Sequence, residues 1–165
     1  MYHNRFGWKH LAGLSTFEGR RLRRKHFPQV VLDELAATIA HSEQHHAGEL
    51  MLAIEAVAPA HEPDTRQRAL EVFGRLGVWD TPLNTGVLLY LALDRHHIEL
   101  IADRGVGAPD AEWQTICTQL RKDLAAGRYR EGIRAAIEAI EAVCRQYCPA
   151  ALSAQNHLPD QPIML

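Results

Sequence analysis

No stretch of this chain approaches the ~20 consecutive apolar residues that a membrane-spanning helix needs, so a helical membrane span is excluded from the reading. Residues Met1 to His26 are polar, basic and interrupted, and no secretory leader is expected there. Cysteine is scarce. Cys117, Cys144 and Cys148 make an odd count without framework spacing, which points to reduced thiols and a cytoplasmic setting. The GxxxxGK phosphate loop, the GxSxG nucleophile elbow and the CxxC pair are all missing. Arg104-Gly105-Val106-Gly107 has too few glycines for a dinucleotide fingerprint. Net charge is only −2 with histidine neutral, so no global field draws the chain to nucleic acid or to an anionic membrane.

What is present suffices for one well-filled core. The chain has 165 residues, 47% of them hydrophobic, too few for two ordinary domains. A basic segment over residues 1–27 precedes the main domain; Ser15 and Glu18 have capping-box spacing and open a short basic helix. Its run Arg20, Arg21, Arg23, Arg24, Lys25 and His26 has two readings. It could meet anionic lipid or nucleic acid, or it could be a helix surface with Leu22 and Phe27 turned inward; no fold suited to sequence-specific nucleic-acid binding accompanies it, and packing against the domain, with at most weak attraction to a membrane, is the preferred reading. Pro28 suits the first turn of a helix to about His46, striped by Val31, Leu32, Leu35 and Ile39. A buried strand follows over Glu49 to Val57, and Asp64 then caps a helix over Thr65 to Leu76. Helices over Ala111 to Ala125 and Tyr129 to Tyr147 complete a domain of residues 28–148, followed by a tail of 149–165.

The segment Trp79 to Val106 carries the strongest pattern. Val87 to Leu93 is apolar without interruption, as in a strand covered on both faces. The chain then reverses within Asp94 to His97, with His96 and His97 expected as solvated turn residues, and a second strand runs from about Ile98. A two-residue loop at Asp94-Arg95 sets Asp103 opposite Gly86; a four-residue loop sets it opposite Leu88. The strand–helix–strand unit makes a parallel crossover. The expected fold is therefore a three-layer α/β/α sandwich around a small mixed sheet, with a parallel crossover and an antiparallel hairpin. One sheet end then collects Glu49, Asp80, Asn84, Asp103 and Arg104.

The segment NTGVLLYLALDRHHIELIADRGV resembles the central signature of the TPM domain family: an Asn-x-Gly-Val-hydrophobic strand, an Asp-Arg reversal, and a strand ending before Gly. The upstream GVWDTPLN is similar to that family's acidic loop, and the downstream AAGRYREGI to its link between the last two helices. The similarity spans roughly Pro28 to Cys148. It implies a compact α/β/α sandwich, weak phosphate-ester hydrolysis in some members, and divalent-cation binding in loops around the hairpin in others. The signal peptide, transmembrane tail and Asp-rich entry of exported members are not expected here. The chain is closer to a short cytoplasmic branch with a basic N-terminus and a Leu-Pro-Asp-x-Pro end, here Leu158 to Pro162.

Asp80, Asn84 and Asp103 are hard oxygen donors of the kind Ca²⁺ and Mg²⁺ prefer, with Glu49 a fourth, weaker candidate. The alternative for them is turn capping and an ion pair of Asp103 with Arg104 or Arg95. The leading expectation is a cytoplasmic, non-enzymatic, divalent-cation-binding interaction module. It would act with a protein or membrane partner, which leaves a peripheral membrane location open. A metal-assisted phosphatase using Asp80, Asp103 and Arg104 is the rival, and a metal-free structural domain the third reading. His41 and His45 have zinc-ligand spacing but suit an exposed helix face better, and Cys144, Cys148 and Cys117 suit core packing better than a zinc site or a nucleophile.

Overall fold

The computed structural model describes residues 6–7, 15–148 and 156–165. In chain order the elements are β1 (Phe6–Gly7), α1 (Ser15–His26), α2 (Gln29–Ser42), β2 (Glu49–Glu55), α3 (Thr65–Arg75), β3 (Gly86–Ala92), β4 (His97–Ala102), α4 (Asp110–Ala125), α5 (Tyr129–Tyr147) and β5 (Ile163–Met164). Among the described residues the sheet has five strands, in the order β1-β4-β3-β2-β5. Strands β2 and β3 are parallel, joined by α3, and β4 runs antiparallel to β3. The expectation that Pro149 closes the last helix lies outside the described residues.

Alternation along β2 and β3 divides the core between two faces. Leu50, Leu52, Ile54, Val87, Leu89 and Leu91 meet the buried stripes of α2, α4 and α5. Met51, Ala53, Leu88, Tyr90 and Ala92 meet Ala69 and Val72 of α3. Helices on both faces of a mixed sheet make the three-layer α/β/α sandwich. Helix α3 starts where Asp64 accepts hydrogen bonds from Arg66 N and Gln67 N, at 2.9 and 3.3 Å, the side-chain cap expected of that residue.

The hairpin adopts the two-residue register: Val87 pairs with Ala102 and Ala92 with His97. His96 N donates to Leu93 O at 3.3 Å, which puts Asp94 and Arg95 at the turn corners. His96 corrects the expectation of a solvated side chain. It is buried, with its Nε2 3.5 Å from Glu18 Oε1, because α1 packs over the turn. Helix α2 stops at Ser42, sooner than expected, and continues as a 3₁₀ turn over Glu43–His45. There Glu43 Oε1 accepts a hydrogen bond from Leu50 N at 2.7 Å and draws the chain toward β2. Two further strands were not anticipated. β1 pairs with β4 and β5 with β2, so both terminal segments join the sheet.

The face under α3 is unexpectedly polar. Arg68 bonds Glu55 through both Nε and Nη2, at 3.0 and 2.7 Å, and Tyr90 donates its hydroxyl to the same carboxylate. Arg66 Nη1 lies 3.6 Å from Glu99 Oε2. All five side chains are buried. Charges enter such an interior only in mutual compensation.

Candidate functional site

Backbone hydrogen bonds knit three segments together at the open end of the hairpin. Asp80 N donates to Gly77 O at 2.9 Å, and Asn84 N closes the Thr81–Asn84 turn on Thr81 O at 3.0 Å. Thr81 is buried, and its Oγ1 accepts from Thr85 N at 2.9 Å. The Thr85 hydroxyl donates in turn to Ala47 O at 2.6 Å, which ties the loop to the chain entering β2. Asn84 leaves the turn at φ 55°, a left-handed conformation that Asn tolerates better than most residues.

From the far strand, Asp103 N donates to Gly86 O at 2.9 Å and Gly105 N to Asn84 O at 2.8 Å. Gly105 is required by that approach. A Cβ there would stand 2.1 Å from Leu83 O and 2.5 Å from Asn84 O, far inside contact distance. Asp103, opposite Gly86, and Asn84 thus share the hairpin mouth with Arg104. Asp103 Oδ1 also accepts from Arg104 N at 2.7 Å. Asp80 occupies the exposed part of the loop between Trp79 and Leu83, two of the most exposed large apolar side chains.

Glu49 stands apart from this group. It begins β2 beside Gly86, but its carboxylate takes hydrogen bonds from His157 N and Leu158 N, both at 2.8 Å, and lies 3.0 Å from His157 Nδ1. The C-terminal segment has occupied it. Among the described residues no three His, Cys, Asp or Glu side chains gather as a metal-ion cluster. Any cation at the mouth would therefore draw on the Asn84 amide oxygen, backbone carbonyls and water as well as carboxylate.

Beside Asp103 a cavity of about 140 Å³ opens along β4 toward the start of α4, with Arg66, Arg104, Asp110 and Trp113 in its wall. Arg66 Nη1 is buried without a hydrogen-bond partner among the described residues, and Glu99 Oε2 lies 3.6 Å from it. The sequence reading missed Arg66 here. The available signal was Glu99 within an apolar strand, a charge that demands a buried partner. Thiol chemistry has little support. Cys117 is buried, and burial pushes its thiol up to about 12. His41 and His45 stack edge to face at 5.6 Å on the exposed side of α2 and its 3₁₀ extension.

Comparison with known proteins follows the same lines. The family model described as the TPM domain matches residues 27–143. Among solved structures, the NMR structure of BA42 protein from the psychrophilic bacterium Bizionia argentinensis superposes with a TM-score of 0.77. The two chains are 23% identical over 86% of this chain and 97% of BA42, a likeness of fold. No curated protein matches the sequence. With the family model covering most of its length and the hairpin, loop and final helices arranged as above, the chain belongs to the TPM domain family.

Proposed function

We propose that this TPM domain is a cytoplasmic, non-catalytic module that takes up a divalent cation, Ca²⁺ or Mg²⁺, at the hairpin mouth and presents the loaded loop to a partner. Asn84 and Asp103 are the central donors, and Asp80 closes on the ion from the exposed loop. One observation supports this reading: the Gly105–Asn84 and Asp103–Gly86 backbone hydrogen bonds bring the approach to β3 and the exit of β4 together at one solvent-open mouth, where Asn84 and Asp103 offer an amide and a carboxylate. Hard oxygen donors supplemented by water suit both cations. Trp79 and Leu83, 55% and 50% exposed, flank Asp80. Apolar side chains left in water beside an ion-binding loop are natural partner contacts.

Calorimetric titration with Ca²⁺ and Mg²⁺ tests this. The expected result is saturable binding that Asp103→Ala abolishes, Asn84→Ala weakens and Glu49→Gln retains. No heat from the wild-type chain with either ion would sink the proposal and leave the metal-free structural domain.

The cavity favours the rival, a metal-assisted phosphatase in which Asp80 and Asp103 hold the metal and Arg104 stabilises phosphate charge. It brings Arg66 and Arg104 beside Asp103, and arginine geometry matches phosphate. Turnover of a generic phosphomonoester with Mg²⁺, lost in Asp80→Ala and unchanged in Cys144→Ala, would decide for the enzyme.

A further inference from the structure

Helix α1 is held by one side and leaves the other unused. Its inner face is fully committed. A Cβ on Gly19 would stand 1.8 Å from Ala56 O, so the helix touches the sheet backbone there. Glu18 faces buried His96, Leu22 packs against the core, His26 stacks on Tyr129 at a centroid distance of 4.1 Å, and Phe27 is buried. These contacts fix the rotation of the helix about its axis.

The opposite face is thereby fixed outward. Phe17, Arg20, Arg21 and Arg24 follow i, i+3, i+4, i+7 spacing, which makes one stripe, with Arg23 and Lys25 on its flanks. All six are exposed, and Phe17 is 68% accessible at the start of the stripe. None of the five cations has an ion pair or hydrogen bond among the described residues. Arg66, Arg68, Arg95 and Arg128, by contrast, all have partners in the fold. Five like charges on a 12-residue helix repel one another, a cost that packing does not explain.

We propose that the outer face of α1 docks on a membrane surface rich in acidic phospholipid, with Phe17 entering the headgroup region. The stripe is convex and spans about 10 Å at helical rise. A fluid lipid plane conforms to such a shape, and an aromatic ring among cations suits the headgroup boundary. A nucleic acid would ask for a basic groove and several stacking rings, whereas this face offers one ring and no groove. The interaction does not depend on the cation site. Helix α1 contacts Ala56 and Asp94 at the turn end of the sheet, while Asp103 and Asn84 lie at the other end.

Vesicle sedimentation of the full chain tests the proposal. Binding is expected to phosphatidylcholine vesicles containing phosphatidylserine, to be absent with phosphatidylcholine alone, to fall with added salt and to be unaffected by EDTA. Each Lys or Arg near an anionic surface is worth about fivefold in partitioning, so Arg21→Ala/Arg24→Ala should lower binding about 25-fold. Phe17→Ser should weaken the binding that survives at high salt. The far-UV spectrum of both variants should match the wild type and neither thermal midpoint should fall, since neither removes a contact of the fold and the double variant relieves repulsion. No binding to the acidic vesicles, equal binding by the double variant, or a requirement for Ca²⁺ would overturn the proposal. So would salt-sensitive capture by single-stranded RNA without vesicle binding, which would transfer the face to nucleic acid.

Discussion

At the turn end of the hairpin, Glu55, Arg68, Tyr90 and Glu99 lie inside the protein, and Arg95 Nη2 donates to Pro59 O and Glu62 O at 3.0 and 2.6 Å. At the open end, Asp80 and Arg104 are exposed and Asp103 is half-buried, while the backbone around them is bonded as tightly as in the strands. Both ends are rich in charge, and both belong to the segment that resembled the family signature. At one end the charges neutralise each other and hold α3 to the sheet; at the other the backbone bears the structure and the side chains stay available. Charge density alone therefore does not locate a site. Charge whose backbone is satisfied elsewhere is the better guide.

The comparison breaks most easily through stability. Removing one partner from a buried pair strands the other charge, so Arg68→Ala should lower unfolding free energy by about 3–5 kcal/mol. Tyr90→Phe, which removes one hydroxyl from Glu55, should lower it by about 1–2 kcal/mol. Asp103→Ala should change it by less than about 1 kcal/mol while abolishing the cation heat. Urea unfolding of the three variants measures this order. If Asp103→Ala proved as destabilising as Arg68→Ala, the open end would be scaffold too.

Each end also has a glycine pressed against backbone, and replacing it separates the roles. Overpacking of this kind costs about 1–3 kcal/mol at either site. Gly19→Ala should lift α1 from Ala56 and expose Arg20 to Lys25 to trypsin, with the cation titration unchanged. Gly105→Ala should push Asp103 from Asn84, weaken cation binding and leave tryptic cleavage of α1 at the wild-type rate. Limited proteolysis with calorimetry reads both. A Gly105→Ala protein that still titrates like wild type would show that the mouth need not close for binding.

The features read correctly in the sequence share a local cause. Helix α5 follows from an apolar stripe bounded by Gly127, the cap of α3 from Asp64, and the hairpin register from a short reversal between uninterrupted apolar strands. Features that escaped depend on distant partners. Glu49 is held by His157, 108 residues further along the chain, and no spacing pattern connects them. Arg66 and Arg68 are buried only because the crossover sets Glu99 and Glu55 beneath them. Strands β1 and β5 have two residues each, too short to show a period of two. The meeting of residues 84 and 103 was legible because both flank one hairpin; Glu49 reaches the same sheet end beside Gly86, as its strand implied, but the bonds of its carboxylate to His157 and Leu158 had no local signal.

One carboxyl near the open end lacks the compensation found under α3, and it sharpens the contrast through pH. Glu43 Oε1 accepts from Leu50 N, while its Oε2 is buried without a hydrogen bond of ordinary geometry among the described residues. Burial, with Asp160 and Glu49 nearby, pushes the carboxyl up to about 8 from an ordinary value of 4.5. Between those limits the folded chain keeps a proton that the unfolded chain releases, so stability falls as pH rises. The contribution is complete below the unfolded value and gone once pH passes the folded one. Glu43→Gln carries a permanently neutral group in the same shape and should lose that slope. Urea midpoints of wild type and variant should diverge in the variant's favour from about pH 5 to about pH 8, then run parallel. A constant gap over that window would mean that Glu43 is already ionised in the folded protein, with its charge compensated much as Glu55 is by Arg68.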